Sequence, residues 1–141
     1  MTARRIVLDA NIVIRAVLGT RVPALIAEYG ERVSFCVPTH VVTEAARSLS
    51  VIAQKRGADP EPFLAALDAF CEVAEFVPPE VTGPLEQTAK ARIGSRDASD
   101  WPVVAAALAL DCPIWTEDQD FFGVGIPAWT SATVELYLRS T

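Results

Sequence analysis

Apolar positions along this chain fall into two kinds of run, short unbroken ones and longer ones with helical spacing, and the two kinds alternate. The first short run, Arg5 to Leu8, stops on Asp9 and predicts a strand. The stretch A-N-I-V-I-R-A-V-L-G that follows predicts a helix stopped by Gly19, and Val22 to Tyr29 a second one ending at Gly30. Val33 to Val37 is the next strand, broken by Pro38. Thr39 is placed to cap a long helix reaching about Arg56, with Gly57 as its stop. Pro60 to Val73 is helical, with Phe63, Leu64, Leu67 and Phe70 on one face. Phe76-Val77 is a third strand, and Glu80 to Ile93 a further helix in which Pro84 must lie in the first turn. Ser99 to Leu110 is so nearly all apolar that it must be a buried helix. Pro113 to Thr116 is a fourth strand, Pro127 to Trp129 a short fifth, and Ala132 to Leu138 a closing helix. Strands separated by helices define an α/β fold, a central parallel sheet of four or five short strands flanked by helices.

Composition fits that picture. The 141 residues are 51% hydrophobic and 21% charged, enough apolar material for one packed domain spanning residues 1–141 and too little charge for a disordered chain. No repeat, low-complexity tract or linker interrupts it. No apolar run approaches the roughly 20 residues of a membrane span, and Asp9 interrupts any signal-peptide core almost at once. Three scattered cysteines, Cys36, Cys71 and Cys112, suit reduced thiols, so the expected location is the cytoplasm, away from any membrane. A net charge of −6 speaks against broad electrostatic binding of nucleic acid, unless cations stand between the acids and a phosphate substrate.

The acids are placed unevenly. In open α/β sheets, ligands bind beyond the carboxyl ends of strands. Asp9 lies at such an end and Asp118 two residues past another, in the stretch C-P-I-W-T-E-D-Q-D-F. Glu44 lies at the boundary of the buried face of its helix, off the wet stripe of Thr43, Arg47, Ser50 and Gln54. Asp100 opens the apolar helix, with Ser99 as the expected cap. Taken singly, each has an ordinary use: Asp9 and Asp100 at helix N-termini, Glu44 in solvent, Asp118 and Asp120 in a turn. Taken together, the four come from separated elements that an α/β sheet brings toward one edge. Packed carboxylates repel unless a cation joins them. An oxygen-only donor set without paired His or Cys selects Mg²⁺ or Mn²⁺. Such ions grip phosphate oxygens, acidify water and stabilise a leaving oxygen, the chemistry of phosphodiester hydrolysis.

Three stretches, V-L-D-A-N-I-V-I, T-H-V-V-T-E-A-A-R-S-L and R-D-A-S-D-W-P-V-V-A-A-A-L-A-L-D-C-P-I-W-T-E-D-Q-D-F, resemble the PIN-domain family of metal-dependent ribonucleases over roughly residues 5 to 130. The resemblance implies a PIN-like three-layer sandwich, Mg²⁺ or Mn²⁺ as cofactor and RNA as substrate. Its catalytic and metal-holding acids fall on Asp9, Glu44, Asp100 and Asp118, with Asn11 and Thr116 as the polar residues that support the first and last. Asp97 competes with Asp100 as ligand in the D-x-x-D, and Asp120 competes with Asp118; the favoured members are Asp100 and Asp118, with Asp97 as a loop cap or supporting group and Asp120 as a turn residue. Small single-domain members are often toxins of bacterial toxin–antitoxin pairs, so the resemblance also implies a cognate antitoxin protein and a homodimer.

The remaining polar and aromatic residues carry ordinary expectations. His40, the sole histidine, is read as a surface residue at a helix terminus. Trp101, Trp115 and Trp129 are read as packing residues, and Lys90, Arg92 and Arg96 as a solvated helix face, with RNA-backbone contact as the alternative for these and for Arg15 and Arg21. Two rival functions remain. One is a phosphoryl-transfer hydrolase with Asp9 as nucleophile, although Asn11 stands where such enzymes carry a second Asp and no later lysine matches. The other is a non-catalytic RNA- or protein-binding module. Alanine at Asp9 or Asp100 is expected to abolish cleavage and to raise stability by relieving repulsion.

Overall fold

The structure, a computed structural model, describes residues 4–140. Five strands form one parallel sheet: β1 (Arg4–Leu8), β2 (Val33–Pro38), β3 (Glu75–Val77), β4 (Ile114–Trp115) and β5 (Ala128–Trp129), in the spatial order β3-β2-β1-β4-β5. The helices are α1 (Ala10–Leu18), α2 (Arg21–Tyr29), α3 (Thr39–Lys55), α4 (Glu61–Val73), α5 (Pro79–Thr82), α6 (Glu86–Ile93), α7 (Trp101–Leu110) and α8 (Val134–Leu138).

The strand order dictates the layers. From β1 to β3 the chain steps outward in one direction, then returns to β4 on the other side of β1. Crossovers between parallel strands are right-handed, so reversing direction moves the connecting helices to the opposite face. Helices α1, α3 and α4 pack against one another, while α7 packs with α5 and α6. The point where the direction reverses lies between β1 and β4, whose register pairs Val7 with Ile114 and Leu8 with Trp115. A ligand is expected just beyond the carboxyl ends of that strand pair.

Burial on both faces explains the unbroken apolar strands. Ile6, Val7, Leu8, Ile114 and Trp115 are wholly buried, and Phe35 packs its ring at a tilt on Trp115, 6.2 Å between centroids. On α7, Pro102 through Ala107 are all buried, as an all-round apolar helix requires. Phe63, Leu64, Leu67 and Phe70 do form the inner face of α4, and Thr43, Arg47, Ser50 and Gln54 the exposed stripe of α3. Trp115 belongs to the core; Trp101 and Trp129 are half-buried against it. The three cysteines are free, and burial pushes the Cys36 thiol up to about 12 and Cys112 to about 11, which makes both inert near neutral pH. Among the described residues, no single helix is long and apolar enough to cross a membrane.

Local differences from the sequence expectations have local causes. Glu80–Ile93 is not one helix: α5 ends at Thr82, a 3-10 turn spans Gly83–Leu85, and α6 starts at Glu86. Pro84 has no N–H to give and its ring clashes one turn back, while Gly83 is a poor helix former, so the ladder breaks there. Thr39 does not cap α3; it is the first helical residue, and extended Pro38 occupies the cap position with no side-chain bond to offer. Ser99 does not cap α7 either. It lies inside a 3-10 turn, Ala98–Asp100, capped by Asp97 and running straight into the helix at Trp101. The closing helix starts at Val134, two residues later than the apolar pattern indicates.

Candidate metal centre

Asp9 follows the last residue of β1 and starts α1. Its extended backbone lets the carboxylate turn back and accept from the Ala10 N–H, so it caps the helix as its residue type prefers. The other oxygen, Oδ2, accepts from Asn11 Nδ2 at 2.7 Å and from Thr116 Oγ1 at 2.6 Å. The residue is only 5% exposed. Burial raises its pKa, the Thr116 and Ala10 hydrogen bonds pull it back, and the charges of Asp118 and Glu44 raise it further.

Thr116, just past β4 and wholly buried, joins two acids. It donates to Asp9 and accepts from the Asp118 N–H at 2.9 Å. Asn11 ties the same two segments a second time, since its Oδ1 accepts from the Glu117 N–H at 3.2 Å. Glu117 in turn accepts from the Ser131 N–H at 2.7 Å and so anchors the segment after β5. The ends of β1, β4 and β5 thus form one hydrogen-bonded rim.

Asp118 caps a 3-10 turn, Gln119–Phe121, by accepting from the Asp120 N–H at 2.9 Å. That turn folds Asp120 back toward the sheet edge. One carboxylate oxygen from each of Asp100, Asp118 and Asp120 lies within 4.8 Å of the others. Asp100 makes no capping bond of its own. Its carboxyl is pushed up to about 7, chiefly by burial and then by the charges of Asp9, Asp97, Asp118 and Glu44. Glu44, half-buried on α3, therefore contributes to the field at both Asp9 and Asp100 but stands outside the three-acid group. Asp97 is exposed and turned away to its own loop, accepting from Ser99 N at 3.0 Å and Ser99 Oγ at 2.6 Å, which lowers its pKa.

Arg92 and Arg96 are exposed, as expected of a solvated face, and they also have fixed partners. Arg96 Nη1 donates to the Asp120 carbonyl at 2.9 Å and Arg92 Nη1 to the Val124 carbonyl at 3.1 Å, pinning the loop that carries Asp118 and Asp120. Lys90 pairs with Glu86 one turn back, and Arg21 with Glu135 on α8 at 3.3 Å. Nothing in the sequence distinguished Arg92, Arg96 and Glu117 as loop anchors, because each reaches a partner far along the chain. His40 is exposed at the start of α3, where it was expected.

An oxygen-only set of three close carboxylates, one of them raised to about 7 by burial and then by its acidic neighbours, has the chemistry of a site for a hard divalent cation. One oxygen from each of Asp100, Asp118 and Asp120 could share an ion, and the buried charge of Asp9 is felt at Asp100.

The sequence model of the PIN domain matches residues 7–139, and the chain belongs to the PIN-domain family. A search among curated proteins finds no match. Solved structures share the fold. A structure of PAE2754 from Pyrobaculum aerophilum superposes with a TM-score of 0.76 at 13% identity, covering 99% of this chain and 91% of that one. VapBC2 from Rickettsia felis, bound to a DNA fragment from its promoter, gives 0.67 at 14% identity over 89% and 98%. A toxin–antitoxin complex from Klebsiella pneumoniae gives 0.55 at 16% identity over 89% and 97%. At these identities the likeness is one of fold.

Proposed function

We propose that this protein is a divalent-metal-dependent endoribonuclease and the toxin of a type II toxin–antitoxin pair. The observation that carries the nuclease reading is the meeting of acids from separate elements at the switch point of the sheet: Asp100, Asp118 and Asp120 within 4.8 Å, backed by buried Asp9 and by Glu44. Asp9, Glu44, Asp100 and Asp118 are the catalytic and metal-holding set, and Asp120 joins it on geometry. Asn11 and Thr116 fix Asp9, and Asp97 shapes the loop before Asp100.

Hydrolysis joins a water oxygen to phosphorus and breaks the P–O3′ bond, leaving 5′-phosphate and 3′-hydroxyl ends. Mg²⁺ or Mn²⁺, when bound, neutralises phosphate charge and acidifies the attacking water. The chain supplies the preorganised carboxylates that bind the ion and fix the geometry, so little rearrangement is needed at the moment of reaction. This also reconciles a −6 chain with an anionic substrate: the acids repel RNA only while no cation stands between them.

Incubation with labelled single-stranded RNA and DNA, in Mg²⁺, Mn²⁺ or EDTA, tests this reading. RNA cut only in the presence of metal supports it; cleavage undiminished in EDTA refutes it. The toxin role draws support from the family and from neighbours such as the Klebsiella complex. Expression that is harmful alone, harmless with a neighbouring open reading frame and harmless in Asp100→Asn tests it. The aspartyl-nucleophile alternative fits less well, because both oxygens of Asp9 already accept hydrogen bonds within the chain.

A further inference from the structure

A groove of about 290 Å³ opens on the same edge of the sheet, beside the acids. Its floor is the carboxyl ends of β2 and β3, at Pro38 and Val77, and its walls include His40, Ser99, Trp101 and Pro102. Ser99 and Trp101 are the immediate chain neighbours of Asp100, so groove and carboxylate cluster share a wall. In a chain with 18 acids against 12 basic residues, none of the groove's lining residues is acidic. Trp101 is half-buried, leaving part of its indole at the surface, and Lys90 stands over that ring, 5.8 Å from its centroid.

We infer that this groove receives one unstacked base of the RNA, next to the scissile phosphate, with the Trp101 indole as its stacking surface and exposed His40 reaching its edge. The inference rests on the ribonuclease reading and specifies where that reaction takes its substrate. Three observations select a base over other occupants. Two of its lining residues, Ser99 and Trp101, flank Asp100 in the chain, so a nucleotide whose phosphate sits at the acids has its base beside the groove. Its volume lies at the small end of ligand sites, about 300–1,000 Å³, which suits one nucleoside rather than a folded segment. The lining is apolar and aromatic with a few hydroxyls and an imidazole, the surface on which single-stranded bases stack and are hydrogen-bonded at their edges. A neutral recess also spares the polyanion the repulsion it would meet elsewhere on this surface.

The test uses one RNA with a mapped cut, made intact and with a single abasic residue on either side of the scissile phosphate. Wild-type protein should lose about tenfold in kcat/KM at one abasic position, in the range of stacking lost per base. Trp101→Leu should lose a comparable factor on intact RNA and nothing further on that abasic RNA, while Trp101→Phe should regain most of it. His40→Ala, at an exposed site, should flatten the preference among the four bases at the same position. Equal abasic sensitivity in wild type and Trp101→Leu, with His40→Ala unchanged in preference, overturns the subsite and assigns the groove to a protein partner or to packing. Absence of any RNA cleavage by wild type overturns the ribonuclease reading itself, and the subsite with it.

Discussion

Thr116 Oγ1 donates to Asp9 Oδ2 at 2.6 Å, joining the ends of β4 and β1 across 107 residues of sequence. The same hydroxyl oxygen accepts from the Asp118 N–H, so one buried side chain sets the spacing of two acids. Valine has the shape of threonine without the hydroxyl. Thr116→Val therefore leaves a buried carboxylate oxygen and a backbone N–H each short of a partner, at a cost of about 1–3 kcal/mol. Thr116→Ser should retain most of the stability. Chemical denaturation of the two variants beside wild type measures the difference; equal stability of all three would show that the hydroxyl is not fixing the rim.

Asp9 and Asp100 should respond oppositely to neutralisation. From the sequence, relief of repulsion is expected at both. The structure gives Asp9 three donors and the capping of α1, so Asp9→Ala should lower stability, the cap alone being worth about 1–2 kcal/mol. Asp100 caps nothing and suffers burial and four like charges, so Asp100→Asn should raise the melting temperature of metal-free protein at pH 8. Both should abolish cleavage. Melting curves in EDTA check the opposite signs.

The acid cluster also fixes a pH dependence. Asp100 is raised from 3.8 to about 7 in the folded state, and Asp9 is raised too. Such groups bind more protons folded than unfolded, so their contribution is fully present below about pH 4 and fades as pH climbs through 7. Metal-free protein should thus lose stability from pH 5 to pH 8, and Mn²⁺ should restore it at pH 8 far more than at pH 5, where protons compete for the same oxygens. Thermal melts at both pH values, with and without Mn²⁺, read this directly. A Mn²⁺ effect of the same size at both would contradict the cluster's role.

Arg96 and Arg92 hold the loop after Asp118 by its carbonyls. The loop can lie against them because Gly123 and Gly125 adopt φ of +89° and +84°, and a Cβ at Gly125 would collide with the Arg92 guanidinium. Arg96→Ala should cost global stability only about 0.5–1.5 kcal/mol, since it removes one hydrogen bond at an exposed site. It should weaken Mn²⁺ binding several-fold by freeing Asp120. Calorimetric titration of the variant separates the two effects; unchanged affinity would show the pinning to be irrelevant to the site.

The layers and the sheet were legible because burial on both faces leaves unbroken apolar runs such as Ile6-Val7-Leu8, and because helix stops such as Gly19 and Gly57 stand where the chain needs them. Gly83-Pro84 is compatible in the letters with either a first turn of a helix from Glu80 or a break, and the structure takes the break. The caps were harder. Asp97, Ser99 and Asp100 are all cap formers within four positions, and only the extended backbone at Asp97 decides which one acts. The sequence ranks Asp120 below Asp118, as a turn residue; the turn is there, but it also brings Asp120 beside Asp100, an approach that depends on the 3-10 turn Asp118 caps and has no signature in the letters. The arginine anchors were invisible for the same reason: their acceptors are backbone carbonyls some 24 and 32 residues away, which carry no side-chain signature.

The claim on which the function stands is that acids scattered through the chain act together on one divalent ion. Titration of metal-free protein with Mn²⁺, followed by electron paramagnetic resonance, addresses it most directly. Wild type should take up the ion at pH 7.5, and Asp100→Asn and Asp118→Asn should each lose at least tenfold in affinity while remaining folded. Undiminished Mn²⁺ uptake by the Asp100→Asn/Asp118→Asn double variant would contradict the account.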